Sequence, residues 1–127
     1  MQYGFSKDVA LSYEDTIDKV TGELKKEGFG VLTKIDVKDT LKNKIDVDFK
    51  KYAILGACNP TLAHKALQTE DDIGLMLPCN VIVYEKDKKS VVSFFDPALM
   101  KNIVSNESIN PIADEVKEKL HRVFESV

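Results

Sequence analysis

The apolar residues between positions 13 and 27 recur at the spacing of one face of an α-helix. They are Tyr13, Ile17, Val20 and Leu24. Ser12 stands before this run as an N-cap, with Asp15 three residues further on, and Gly28 follows it as a left-handed stop. The pattern predicts a helix over residues 13–27.

Other segments alternate apolar and polar residues, which is the period of a β-strand with one buried face. The pattern predicts strands at 2–6, 29–36, 52–58, 79–85 and 90–95. A polar Lys-Asp-Lys-Lys turn joins the last two as a hairpin of central antiparallel strands. Residues 37–49 are ambiguous: Val37, Leu41 and Ile45 have helical spacing, whereas Ile45, Val47 and Phe49 also fit a strand.

Two further helices are predicted to start at a capping residue followed by proline, whose fixed φ suits the first helical position. Asn59-Pro60 predicts a helix over 60–68, and Asp96-Pro97 a brief one. The residues of the first expected to face inward are Leu62, Ala63, Ala66 and Leu67. A long C-terminal amphipathic helix is indicated by Ile112, Val116, Leu120 and Val123.

The order is thus strand, helix, four strands and helix, with short helices inserted. It predicts an α+β two-layer sandwich, in which helices cover one face of a mostly antiparallel sheet. The residues expected to form the core are Ile17, Val20, Leu24, Ile82, Val92, Leu120 and Phe124. A core of this kind should fold without a metal or other cofactor.

Composition narrows the class of protein. The 127 residues are 43% hydrophobic and 31% charged, and no linker or repeat divides them, so we interpret 1–127 as one domain. A net charge of -3 does not attract the negatively charged phosphate backbone, so no nucleic-acid partner is expected. No apolar run approaches the ~18 residues that cross a bilayer, and residues 1–7 do not resemble a signal peptide. We therefore expect a cytoplasmic protein that does not enter a membrane.

Two short motifs carry a resemblance to a known family. The first runs from Ile54 to Pro60 as Ile-Leu-Gly-Ala-Cys-Asn-Pro, and the second from Gly74 to Val81 as Gly-Leu-Met-Leu-Pro-Cys-Asn-Val. Together with Asp96-Pro97, they resemble the domain-of-unknown-function family 302 over nearly the whole chain. The resemblance implies a strand-helix-four-strand-helix fold of the TATA-box-binding-protein-like group, and a homodimer. It implies no activity.

The same motifs supply the candidate site. Cys58 ends one predicted strand and Cys79 begins another, so the two cysteines meet if these strands are antiparallel neighbours. His64 lies about one turn into the helix that starts at Pro60 and could join them. A thiolate beside a helix N-terminus and an imidazole has a lowered pKa, which suits a nucleophile or a soft-metal ligand. Asn59 and Asn80 could donate amide hydrogens to a ligand.

Structural roles also explain these residues. Free cysteines are often buried as small hydrophobes, Asn59 suits a helix cap, and Asn80 suits a satisfied polar group at a strand start. The irregular spacing of Cys58, His64 and Cys79 is a weak metal signal, so no metal is expected.

Three classes of function fit the sequence. The favoured hypothesis is a small-ligand binding module with Cys58, Asn59, His64, Cys79 and Asn80 at its site. The second is a thiol-dependent enzyme or redox sensor that uses Cys58 or Cys79. The third is a dimeric interaction module, which a large apolar patch away from the cysteines would favour.

Overall fold

A computed structural model describes residues 1–127, and its centre is one five-stranded antiparallel sheet. The strands lie in the order β1-β5-β4-β3-β2, so the hairpin strands are internal. The predicted α+β fold is confirmed. The strand bounds are β1 Gly4–Val9, β2 Gly30–Asp36, β3 Tyr52–Cys58, β4 Cys79–Lys86 and β5 Lys89–Phe95.

Five helices connect and cover the strands. None of them is both long enough and apolar enough to cross a membrane. Their bounds are α1 Tyr13–Lys26, α2 Val37–Ile45, α3 Pro60–Thr69, α4 Leu99–Ile103 and α5 Asn110–Ser126. Two 3₁₀ helices lie at Asp71–Met76 and Glu107–Ile109. The ambiguous segment is therefore helical up to Ile45, and the Asp36 carboxylate caps it by accepting a hydrogen bond from the Asp39 amide.

The predicted signals at both ends of α1 are confirmed. Ser12 Oγ accepts a hydrogen bond from the Asp15 amide at 3.1 Å, so one of the free amides of the first turn has a partner. Gly28 has a φ of 83°, the left-handed conformation in which a side chain would be strained. The chain then reverses, and Phe29 enters the core just before β2 begins.

The main core lies between the sheet and the two long helices, α1 and α5. Val20 and Leu24 of α1 and Leu120 of α5 are fully buried against alternate residues of β3, β4 and β5. The prediction that Ile82 belongs to this core is wrong, because Val81 and Val83 point inward and Ile82 therefore points to the opposite face. Phe124 is partly buried at the edge of the core.

Two other predictions are corrected. Leu67 does not face inward: it is 41% exposed, because α3 directs Leu62 and Ala66 to the interior. The first strand is Gly4–Val9 and not 2–6, because its pairing with β5 continues to Val9 opposite Ser90.

Gly56 marks a close approach between three segments on the sheet face that α1 and α5 leave open. A β-carbon on Gly56 would lie 2.8 Å from Pro78 Cγ and would also meet Thr33 Oγ1. The missing side chain lets Pro78 rest directly on β3, one residue before β4 begins at Cys79. Gly56 therefore helps to position the start of β4.

Candidate functional site

The structure brings Cys58 and Cys79 to one end of the sheet, as the antiparallel arrangement predicts. β3 and β4 pair with Ala57 opposite Cys79, so the last residue of β3 lies beside the first residue of β4. α3 begins two residues after Cys58 and turns its buried residues, Leu62 and Ala66, back toward this end of the sheet. Both cysteines line the cavity that results.

The cavity is open at its mouth and almost wholly apolar. Thirteen of its fifteen lining residues are hydrophobic, and Asn59 is the one with a polar amide side chain. The space is about 460 Å³ when counted out to the mouth, but the centres of water-sized spheres can occupy only about 40 Å³ of it. One water molecule needs ~10–15 Å³ on the latter measure. The cavity can therefore admit a slender apolar group, but not a bulky ligand.

A second, smaller hydrophobic cluster forms the wall of the cavity opposite the sheet. Its buried residues are Ala66, Ile73, Met100, Ile109 and Ala113. Four of these, all except Ile73, line the cavity, which thus lies where the two hydrophobic clusters meet. The walls come from α3, α4, α5 and the strand ends.

The two cysteines differ in exposure and chemistry. Cys79 is 5% exposed, and burial, assisted by the neighbouring Cys58, raises its pKa to about 11. At neutral pH Cys79 is therefore a neutral thiol that packs as a small apolar residue, and it cannot act as a thiolate nucleophile. Cys58 is half-buried, and neither cysteine is in a disulfide.

Asn59 is the helix cap that the sequence predicts, and it also links two helices. Its Oδ1 accepts a hydrogen bond from the Leu62 amide at 3.2 Å, and its Nδ2 donates to the Glu27 carbonyl at 3.3 Å. These bonds join the start of α3 to the end of α1. Asn59 thus holds the wall of the cavity in place.

His64 and Asn80 do not join the cysteines. His64 is exposed on α3 and does not line the cavity. It lies two positions, or about 200° around the helix, from the buried Leu62. The predicted cluster of Cys58, Cys79 and His64 is therefore corrected to a pair of cysteines, and no three His, Cys, Asp or Glu side chains are grouped as a metal site. Asn80 is exposed on the opposite face of the sheet, because alternation turns it away from Cys79.

Asn80 instead borders a groove on the open sheet face that was not predicted from the sequence. Tyr52 and Tyr84, directly opposite each other on β3 and β4, stack there with ring centroids 5.4 Å apart. Lys50 Nζ lies 4.7 Å from the centroid of the Tyr84 ring. The signal that could have revealed this groove is the alternation of both tyrosines with inward-facing residues.

The chain is similar to known proteins over almost its whole length. The family model described as "Domain of unknown function DUF302" matches residues 5–127. A crystal structure of an uncharacterized conserved DUF302 protein from Bacillus stearothermophilus is similar, with a TM-score of 0.91 and 27% sequence identity. The alignment covers 99% of this chain and 98% of the other. No curated protein matches the chain.

Proposed function

Since the chain belongs to the DUF302 family, whose description names no activity, we propose from its own geometry that it is a small-ligand binding module. The site is the apolar cavity beside Cys58 and Cys79. The observation that carries the proposal is an open cavity lined almost entirely by hydrophobic side chains at the junction of two hydrophobic clusters. Apolar walls offer a water molecule almost no hydrogen-bond partners, so such a cavity binds an apolar group more favourably than water.

The chemistry of the walls indicates the ligand class. Asn59 is the single polar amide, and both ends of that amide already bind backbone groups. The ligand therefore needs an apolar body that enters the cavity and, at most, one polar end that stays at the mouth. A short alkyl or acyl chain has this form.

A thiol-dependent activity has weaker support than ligand binding. The pKa of Cys79 is raised to about 11, and His64 does not line the cavity that the cysteines share. Cys58 lines the cavity and is more exposed than Cys79, so its alkylation serves as the reporter of occupancy.

We expect 1-hexanol, used as a probe, to bind in the cavity and to slow the alkylation of Cys58 by N-ethylmaleimide. The hydrophobic chain would displace weakly held water and block the approach to the thiol. Mass spectrometry of the alkylated peptides measures the rate at each cysteine, and methyl NMR follows Ala66 and Ala113. Cys79 should react only when the protein unfolds.

Filling the cavity gives the matched test. Ala63→Leu places a larger side chain in the half-buried lining, whereas Ala10→Leu makes the same change at an exposed position. Binding of 1-hexanol should weaken by about tenfold or more in the first variant, a loss of about 1.4 kcal/mol, and stay unchanged in the second. Equal binding in both variants, or unchanged alkylation of Cys58 with saturating hexanol, would remove the proposal.

A homodimer is proposed as the assembly of the chain. β2 is an edge strand, and it exposes Leu32 by 67% and Ile35 by 47%. An edge of this kind is a surface on which a second strand can pair. Light scattering at micromolar concentration should return twice the mass of the chain, and a Leu32→Lys, Ile35→Lys variant should return a monomer. A clean monomer for the unaltered protein contradicts this proposal.

A further inference from the structure

A second concave surface lies on the sheet face opposite the cavity. It is the groove introduced with Asn80. The space in it that the centres of water-sized spheres can occupy is about 520 Å³, against about 40 Å³ in the cavity. Small-ligand sites typically measure ~300–1,000 Å³. Its floor consists of alternate residues of the central strands, among them Tyr52, Ile82 and Tyr84, and Lys50 lies at its rim. The groove shares β3 and β4 with the cavity; on β4 it uses Asn80, Ile82 and Tyr84, which alternate with the cavity residue Cys79.

The floor presents aromatic rings in an ordered arrangement. The planes of the Tyr52 and Tyr84 rings differ by only 6° and their centroids are 5.4 Å apart, so the two rings face each other. Another ring can stack on an outer face of this pair. Burial, followed by the proximity of Tyr84 and Tyr3, raises the pKa of Tyr52. Three phenol groups therefore gather in the groove, and each offers a hydroxyl that can donate or accept a hydrogen bond.

The charge of the groove differs from that of the protein as a whole. The chain has 21 acidic against 18 basic residues, yet no acidic residue is among the eleven that line the groove. Lys50 is the one cationic side chain among them, with its ammonium 4.7 Å from the Tyr84 ring centroid. Asn80 and Ser93 add neutral hydrogen-bonding groups. The groove is therefore complementary to an anion with an apolar, flat body.

We propose that this groove binds a planar aromatic compound that carries a negative charge, with its ring stacked on an outer face of the Tyr52 and Tyr84 pair and its anionic group at Lys50. A carboxylate or a phosphate on the ring satisfies the same contacts, so aromatic acids and mononucleotides share the required chemistry. The groove takes a different class of ligand from the cavity, which offers no cation and no aromatic pair.

The test compares anionic and neutral probes of one shape. Naphthalene-2-carboxylate and adenosine 5′-monophosphate are titrated into the full chain, with naphthalene-2-carboxamide as the uncharged counterpart. NMR should show shifts at Asn80 and Ser93, and tighter binding of the anions. Binding of the carboxylate alone identifies aromatic acids as the source of the ligand, and binding of the nucleotide alone identifies nucleotides.

Charge-matched variants separate the contact at Lys50 from general attraction. Lys50→Gln should weaken the binding of the anions by about threefold to tenfold and leave the carboxamide unaffected. Lys65→Gln removes the same charge from the exposed surface of α3 and should change neither. Tyr84→Leu keeps an apolar side chain but removes the stacking partner, and should weaken all probes that bind.

Several results would overturn the proposal. They are the absence of binding at millimolar concentration, equal affinity for the carboxylate and the carboxamide, or equal effects of the two lysine variants. Shifts confined to Ala66 and Ala113 would assign the probe to the cavity, and a self-associated protein that buries Tyr52 and Tyr84 would assign the groove to a second copy.

Discussion

Replacement of Gly56 by alanine is expected to lower the free energy of unfolding by about 2 kcal/mol, a large share of the stability of a small domain. The new β-carbon would lie 2.8 Å from Pro78 Cγ and would meet Thr33 Oγ1. Thr33 can turn its hydroxyl away by rotation about χ1, but the Pro78 ring is closed on its own backbone and cannot. The clash with Pro78 can be relieved only if the segment that carries Pro78 moves relative to β3.

Urea denaturation measures this loss, and Gly22 supplies the control. Gly22 lies in α1, and a β-carbon at this position would meet nothing within 4 Å. Gly22→Ala should therefore raise the free energy of unfolding by about 0.5–1 kcal/mol, because alanine loses less backbone entropy in a helix. Equal stability of Gly56→Ala and the unaltered protein would show that β2 and Pro78 yield without cost.

The second large effect concerns Cys79 at high pH. Its folded-state pKa is about 11, against ~8.5 for an unperturbed cysteine. Above pH ~8.5 the unfolded chain releases this proton while the folded state keeps it, so ionisation stabilises the unfolded state and the free energy of unfolding falls. The stability that the neutral thiol supplies is fully present below the pKa of the unfolded state and is lost as the pH rises through the pKa of the folded state. We expect Cys79 to account for a loss of about 2–3 kcal/mol between pH 8 and pH 11.

The comparison of the unaltered protein with Cys79→Ala isolates this effect, because lysines and tyrosines titrate in both. The variant should be less stable at pH 7, where it lacks the packed thiol, but its stability should fall less steeply with pH. Urea midpoints at closely spaced pH values give the two curves. Parallel curves from pH 8 to pH 11 would mean that Cys79 is not perturbed by burial.

The sequence predicted the elements whose signals are local. The Ser12 cap and the Gly28 stop bounded α1, and the Asn59-Pro60 pair located the start of α3. Ile82 was assigned wrongly to the core because Val81, Ile82 and Val83 form a continuous apolar run. A run without alternation does not indicate which face is buried, and that choice depends on the register with β3 and β5.

The candidate site was predicted only in part. The meeting of Cys58 and Cys79 follows from antiparallel pairing and is what the structure has. The same reasoning could have placed His64 and Asn80 correctly. His64 lies two residues from Leu62, which was predicted to face inward, so it points to the other side of the helix. Asn80 follows Cys79 on one strand, so it points to the other face of the sheet. Alternation along β3 and β4 could have revealed the two tyrosines of the groove. It could not have revealed Tyr3 and Lys50, which precede their strands and reach the groove through the course of the chain.

The pairing of β4 makes both concave surfaces of the protein depend on the register of one strand. Cys79 and Asn80 are consecutive, yet one borders the cavity and the other the groove. A slip of β4 by one residue would exchange the thiol and the amide between the two surfaces, and would turn Ile82 inward. Pro78 against Gly56 opposes such a slip at the first residue of the strand. Insertions or deletions near this proline would therefore alter both concave surfaces together, whereas changes in the exposed hairpin turn would spare them.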